Sequence, residues 1–144
     1  MNILIVDDNI IKANDSKKCL VDIFPGANIH IVHTGEEALN ALMRKSGIKY
    51  DLMVLDMEFC FSKNENIDRK CGLKLLDFIN FNNSAFEKDD SKYIDNTIPI
   101  IVCSSGTYIK ELDDYDNVKG FIRYGGQDLT SQYTNLVPLI RKKG

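Results

Sequence analysis

Three short runs of this chain, Ile3–Val6, Leu52–Leu55 and Ile98–Cys103, are almost continuously apolar and rich in Ile, Val and Leu. A strand with one wet face alternates polar and apolar side chains. A strand that is apolar throughout is buried on both faces, which happens where helices cover a parallel sheet from each side. Two further segments, Ile29–Val32 and Gly120–Ile122, bring the predicted strands to five. The stretch Asn28-Ile29-His30-Ile31-Val32-His33 is more mixed, as an edge strand would be. Pro99 stands next to the start of the fourth strand, where a missing N–H is tolerated.

Helical patterns separate the strands. Thr34-Gly35-Glu36-Glu37 has the spacing of a capping box, and Ala38, Leu39 and Leu42 follow it as an apolar stripe. Leu73, Leu76 and Ile79 repeat at helical spacing after Gly72. Leu129, Tyr133, Leu136, Val137 and Ile140 mark a last helix, which Pro138 is expected to kink or loosen in its final turn. In the first helix Cys19, Leu20 and Ile23 share one face, but Asn14, Asp15 and Ser16 make its first half weak. The fourth helix, about Thr107–Leu112, is short and poorly patterned. A strand followed by a helix, five times over, predicts an α/β fold. Its sheet is doubly wound, parallel and five-stranded, of order 2-1-3-4-5, with helices on both faces (flavodoxin-like). Functional groups in such a sheet gather beyond the carboxyl ends of the strands, where the strand order reverses.

The 144 residues suit one domain, expected over 1–144, and a core that needs no disulfide or structural metal. The four cysteines have neither CxxC nor zinc-type spacing. Cys19 and Cys103 are expected in the core, while a Cys60–Cys71 disulfide is a minor alternative. Net charge is −3, and the tail Arg141-Lys142-Lys143 is read as a helix end, so no nucleic-acid partner is expected. No run is long enough for a signal peptide or a membrane span, which predicts a soluble cytoplasmic protein. Two polar stretches, Met57–Lys70 and Asn82–Thr97, are longer than ordinary connections and are expected to be functional or mobile.

Asp7 and Asp8 directly follow the first strand and Asp56 follows the third. In the order 2-1-3-4-5 these strands are neighbours, so the three carboxylates meet at one end of the sheet. Like charges 4–5 Å apart repel by about 3–4 kcal/mol per pair at an effective dielectric of about 20. A lone Asp there would be a turn former. A pair plus a third, each after a buried strand, indicates a site for a hard divalent cation such as Mg²⁺.

Four segments together resemble the receiver (CheY-like) domain of two-component response regulators: Ile3-Leu4-Ile5-Val6-Asp7-Asp8-Asn9, Thr34-Gly35-Glu36-Glu37-Ala38-Leu39, Asp51-Leu52-Met53-Val54-Leu55-Asp56-Met57 and Ile98-Pro99-Ile100-Ile101-Val102-Cys103-Ser104. The resemblance covers essentially the whole chain. It implies that Asp8 and Asp56 bind Mg²⁺ directly and Asp7 through water, with the backbone carbonyl of Glu58 as a further ligand. It also implies that Asp56 accepts a phosphoryl group from a histidine kinase or phosphotransfer protein. Ser104 would then hydrogen-bond the phosphoryl oxygens, and Phe121 would stand where the family keeps an aromatic switch residue.

Two departures stand out. The family places a Lys after the fifth strand, where aligning Gly120-Phe121-Ile122-Arg123-Tyr124 puts Tyr124, followed by Gly125 where a Pro is usual. Tyr carries a hydroxyl but no positive charge. Arg123 is adjacent but points to the other face unless the strand end is bulged, and a one-residue slip of the alignment is the alternative. The segment between Asp56 and Gly72 is also long, and Ser62–Lys70 is expected to overhang the site as a solvated spacer, a partner contact or a lid.

The leading expectation is a stand-alone, non-enzymatic receiver that acts on a separate output protein through its fourth helix, fifth strand and fifth helix. A pseudo-receiver that binds without phosphorylation is the second. A small Mg²⁺-dependent phosphohydrolase, with Glu58 as general acid, is the third. The first requires that the three carboxyls converge on one ion site and that no protein cation plugs it and leaves no room for an ion. His30 and His33 face opposite sides of their strand and are not expected to share a metal.

Overall fold

The computed structural model describes residues 1–63, 70–81, 93–126 and 128–141. Five strands, β1 (Asn2–Val6), β2 (Asn28–Val32), β3 (Leu52–Leu55), β4 (Ile100–Ser104) and β5 (Val118–Arg123), pair in parallel in the order β2-β1-β3-β4-β5. This is the predicted topology. β2 is an edge strand and half-exposed, whereas every residue of β3 and β4 is buried.

Among the described residues four α-helices cover the sheet: α1 (Ile10–Ile23), α2 (Gly35–Leu42), α3 (Cys71–Phe81) and α4 (Leu129–Arg141). The period-two alternation of the strands divides the core into two layers. Leu4, Val6, Met53, Leu55, Ile100 and Val102 pack against α2 and α3. Ile3, Ile5, Leu52, Val54, Ile101 and Cys103 pack against α1 and α4. All four cysteines are free, so Cys60 and Cys71 form no disulfide.

Local chemistry starts the helices where it was expected, with one addition. The Thr34 hydroxyl accepts the Glu37 N–H at 3.1 Å, the N-cap half of the predicted capping box, and donates to the Glu37 carboxylate at 3.2 Å. Asn9 caps α1 in the same way, its Oδ1 accepting the Lys12 N–H at 3.0 Å. The half of α1 that looks weak in sequence is therefore helical from its first turn. α4 continues past Pro138 to Arg141.

The fourth helix is a correction. A 3-10 turn, Lys110–Asp114, takes its place. Leu112 is its one buried residue, so no apolar stripe holds a longer helix against the sheet. The predicted output surface of fourth helix, fifth strand and fifth helix accordingly lacks its first element. Residues 64–69 of the expected overhanging segment, 82–92 of the second long stretch, and Lys142 and Lys143 of the basic tail lie outside the described residues.

Gly72, in the first turn of α3, sets how closely that helix approaches the end of β3. Its N–H donates to the Met57 carbonyl at 3.0 Å. A Cβ there would stand 2.8 Å from the carbonyl oxygen of Asp56 and 2.9 Å from Cα of Met57, so backbone would have to move. Gly72→Ala is expected to lower stability by about 2 kcal/mol, read as a lower urea midpoint at unchanged slope. A midpoint equal to the parent's would show that the β3–α3 junction is slack.

Candidate functional site

The face of the sheet decides which side chains meet. Ile5 and Val54 point into the α1/α4 layer, so Asp7 and Asp56, two residues further on, continue that face past the strand ends. Val6 pairs with Leu55, and the Asp56 N–H donates to the Val6 carbonyl at 2.9 Å. This sets the two acids side by side. A carboxylate oxygen from each of Asp7, Asp8 and Asp56 lies within 4.8 Å of the others. Asp7 is 3% exposed and Asp56 5%, while Asp8 is half-buried.

A fourth residue, unforeseen in the sequence, joins them from α1. Lys12 is 3% exposed, and its Nζ lies 2.8 Å from Asp56 Oδ1 and 3.1 Å from Asp7 Oδ2. The sequence reading required that no protein cation plug this pocket and leave no room for an ion; an ammonium does bridge two of the three acids. The signal was present in the pattern. The stripe of Cys19, Leu20 and Ile23, continued back at helical spacing, reaches Ser16 and then Lys12, and both are buried. Polar residues at those positions hid it. The neighbouring Ile10 and Ile11 are 66% and 72% exposed, so the first turn of α1 turns its isoleucines outward and its lysine inward.

Backbone donors complete the cluster. Asp56 Oδ1 also accepts the Met57 N–H at 2.8 Å, and Asp7 Oδ1 accepts the Asn9 N–H at 2.9 Å. His33 donates Nδ1–H to the Asp7 carbonyl at 3.0 Å, because a carbonyl only accepts. His30 pairs with the Tyr50 hydroxyl at 2.7 Å. The two histidines therefore serve separate partners.

One ammonium does not satisfy three carboxylates. Burial, then the charge of Asp56, pushes the Asp7 carboxyl from the ordinary 3.8 up to about 6, although Lys12 opposes the shift. Asp8 is raised for the same two reasons. Burial alone would lower Lys12, but hydrogen bonding to Asp56 and the charges of Asp56 and Asp7 outweigh it and raise it. With all groups ionised, three negative charges against one positive leave the cluster two charges negative. Hard oxygens carrying that residual charge fit a divalent cation.

The other predicted residues are placed as follows. Ser104, buried at the end of β4, accepts the Gly106 N–H at 3.1 Å on its hydroxyl oxygen, so its own O–H proton is not used by that bond. Phe121 is half-buried and packs edge-on against Tyr108, ring centroids 5.5 Å apart. Glu58 is exposed. Arg123 pairs in register with Ser104 and is exposed. The irregularity in β5 lies at its start, between the partners of Ile100 and Ile101, and not at its end. Tyr124 turns to the α1 side, where its hydroxyl donates to Asp15 Oδ2 at 2.6 Å. It does not join the acidic cluster.

Comparison with solved structures matches this arrangement to one fold. A two-component response regulator from Legionella pneumophila superposes with a TM-score of 0.64 at 19% identity over 97% of each chain. The fold is that of response-regulator receiver domains. The phosphorylated cyanobacterial phytochrome response regulator RcpA gives a TM-score of 0.57 at 21% identity, covering 96% of this chain and 89% of its own. The Mn²⁺-bound form of response regulator Rcp1 gives 0.59 at 17% identity, covering 96% and 90%. No protein-family model and no curated protein sequence matches the chain. Among the described residues, no helix is long and apolar enough to cross a membrane.

The raised Asp7 carboxyl has a stability consequence. A carboxyl whose folded pKa lies above its unfolded value contributes stability below about pH 4 that is lost as pH rises through about 6. Without divalent cation, Asp7→Asn is therefore expected to be more stable than the parent at pH 8, by about 2 kcal/mol, and to lose that advantage at pH 4. Mg²⁺ is expected to narrow the gap at pH 8. Thermal melts of the two proteins across this range check it; a gap that does not change with pH would show that Asp7 feels no net repulsion.

Proposed function

We propose that this chain is a phosphoacceptor signalling domain: Asp56 takes a phosphoryl group from a histidine kinase or phosphotransfer protein, and the modified domain then acts on a separate output protein. The observation that carries this is the convergence of Asp7, Asp8 and Asp56 at the carboxyl ends of adjacent strands in a receiver fold. Solved proteins of the same fold include a phosphorylated and a Mn²⁺-bound response regulator.

The two oxygens of Asp56 are not equivalent. Oδ1 accepts from the Met57 N–H and from Lys12. Among the described residues Oδ2 accepts no hydrogen bond, which leaves it the better nucleophile. It attacks phosphorus, and the bond from phosphorus to the donor nitrogen breaks with its electron pair returning to the imidazole. Ser104 keeps a hydroxyl proton for a phosphoryl oxygen. Mg²⁺, held by Asp7, Asp8, Asp56 and the Glu58 carbonyl, would supply the further positive charge that phosphoryl transfer needs.

A second reading is favoured by the Lys12 bridge: an interaction module whose acidic cluster is neutralised internally and never modified. Acetyl phosphate with Mg²⁺ separates the two. The expected product is heavier by one phosphoryl group in intact mass, is lost on hydroxylamine treatment, and is absent from Asp56→Asn and from protein treated with EDTA. No adduct on the parent protein, or an adduct that survives in Asp56→Asn, would overturn the phosphoacceptor reading.

A further inference from the structure

We propose that Lys12 is the catalytic cation of this site, delivering from α1 the ammonium that receiver domains would carry at the end of β5. The proposal rests on Asp56 being the phosphoacceptor.

Position 124, where that lysine would stand, holds a phenol bonded to Asp15, and Arg123 is exposed, so neither end residue of β5 brings charge to Asp56. Lys12 does, at 2.8 Å from the reacting carboxylate. Its approach follows from the fold. Asp7 and Asp56 emerge on the sheet face that α1 covers, and the helical stripe of Lys12, Ser16, Cys19 and Leu20 faces that sheet. The Asn9 cap holds the first turn of α1 next to the cluster.

The donors of the ammonium also suit the task. A lysine ammonium has three N–H groups. Asp56 Oδ1 and Asp7 Oδ2 take two, and among the described residues the third has no protein acceptor. As Oδ2 of Asp56 bonds to phosphorus, Oδ1 becomes the carbonyl oxygen of an acyl phosphate and gives up its share of negative charge. Its hold on Lys12 weakens at the moment when phosphoryl oxygens arrive on the neighbouring atom. With acetyl phosphate as donor, the phosphorus–oxygen bond to acetate breaks and acetate leaves with the electron pair. No proton has to move, and the total charge is conserved. The ammonium passes from a carboxylate oxygen to a phosphoryl oxygen a few ångströms away. A lysine serving only as a structural plug would keep its bond to Asp56 unchanged.

The experiment follows initial rates of adduct formation, by intact mass with acetyl phosphate and Mg²⁺, in four proteins: the parent, Lys12→Met, Lys12→Met with Tyr124→Lys, and Tyr124→Lys alone. Lys12→Met is expected to slow adduct formation about a hundredfold, the typical loss for one transition-state donor. Restoring a lysine at position 124 is expected to recover at least a tenfold part of that loss, which a structural role for Lys12 would not allow. Tyr124→Lys alone leaves Lys12 and its packing in place, so it decides the matter even if Lys12→Met fails to fold. It is expected to change the rate less than threefold, since the charge is already supplied. A folded Lys12→Met that reacts at the parent rate, or a tenfold acceleration in Tyr124→Lys alone, overturns the role of Lys12 while leaving Asp56 as phosphoacceptor. A parent protein that forms no adduct overturns both.

Discussion

The pairing of β1 with β3 is the contact on which the site depends. Each strand is apolar at every buried position, so its register cannot be read from an alternation of polar and apolar residues. It is set by the backbone ladder that pairs Val6 with Leu55 and carries on to the Asp56 N–H and the Val6 carbonyl. A slip of one residue would turn Asp56 to the α2/α3 side and leave Asp7 alone beneath α1. Gly72 serves the same junction from above, since its missing Cβ lets α3 close over the backbone of Asp56 and Met57.

That junction concentrates charge where solvent is scarce. Removing one partner from a buried ion pair typically costs 3–5 kcal/mol, because the remaining charge stays buried and uncompensated. Lys12 cannot be a casual neighbour on those terms. Among the described residues its charge is met by Asp7 and Asp56 alone, and theirs by Lys12 and backbone N–H groups. The upward displacement of Asp7, caused first by burial and then by the charge of Asp56, shows that Lys12 does not fully offset the cost of keeping that carboxylate ionised. A site that is fully neutralised from within would have no affinity left for an ion or for a phosphoryl group and its metal. The negative charge that Lys12 leaves uncompensated is compatible with a divalent cation.

Much of this was legible from residues alone. Continuous apolar runs gave the parallel strands, Thr34 with Glu37 marked the start of α2, and acids placed after β1 and β3 announced a common site. The rest was hidden for definable reasons. Lys12 lies on the inward stripe of α1, but a stripe is normally recognised by its apolar members, and Lys12 and Ser16 are not apolar while the exposed Ile10 and Ile11 are. Periodicity pointed to the right face only when carried backwards from Leu20. The fourth helix failed because Leu112 is the one fully buried residue of its segment, with Ile109 only partly buried beside it. The aim of Tyr124 was beyond reach because its partner, Asp15, is 109 residues away in sequence and on a half-buried flank of α1 that no local pattern connects to β5.

Under the proposed role of Lys12, moving the cation from β5 to α1 changes which elements are bonded to Asp56. A lysine at the end of β5 would tie Asp56 to the strand that carries Phe121, and Phe121 here packs against Tyr108, on the α2/α3 side of the sheet. Lys12 ties Asp56 to α1 instead. One turn further along the same helix, the Ser16 hydroxyl accepts from the buried Tyr133 of α4 at 2.8 Å, and Asp15 holds the Tyr124 hydroxyl. Any displacement of Lys12 is therefore felt first by a helix whose next polar contacts are α4 and the end of β5. The bonded route away from the acids leads to the α1/α4 layer, on the face of the sheet opposite to Phe121.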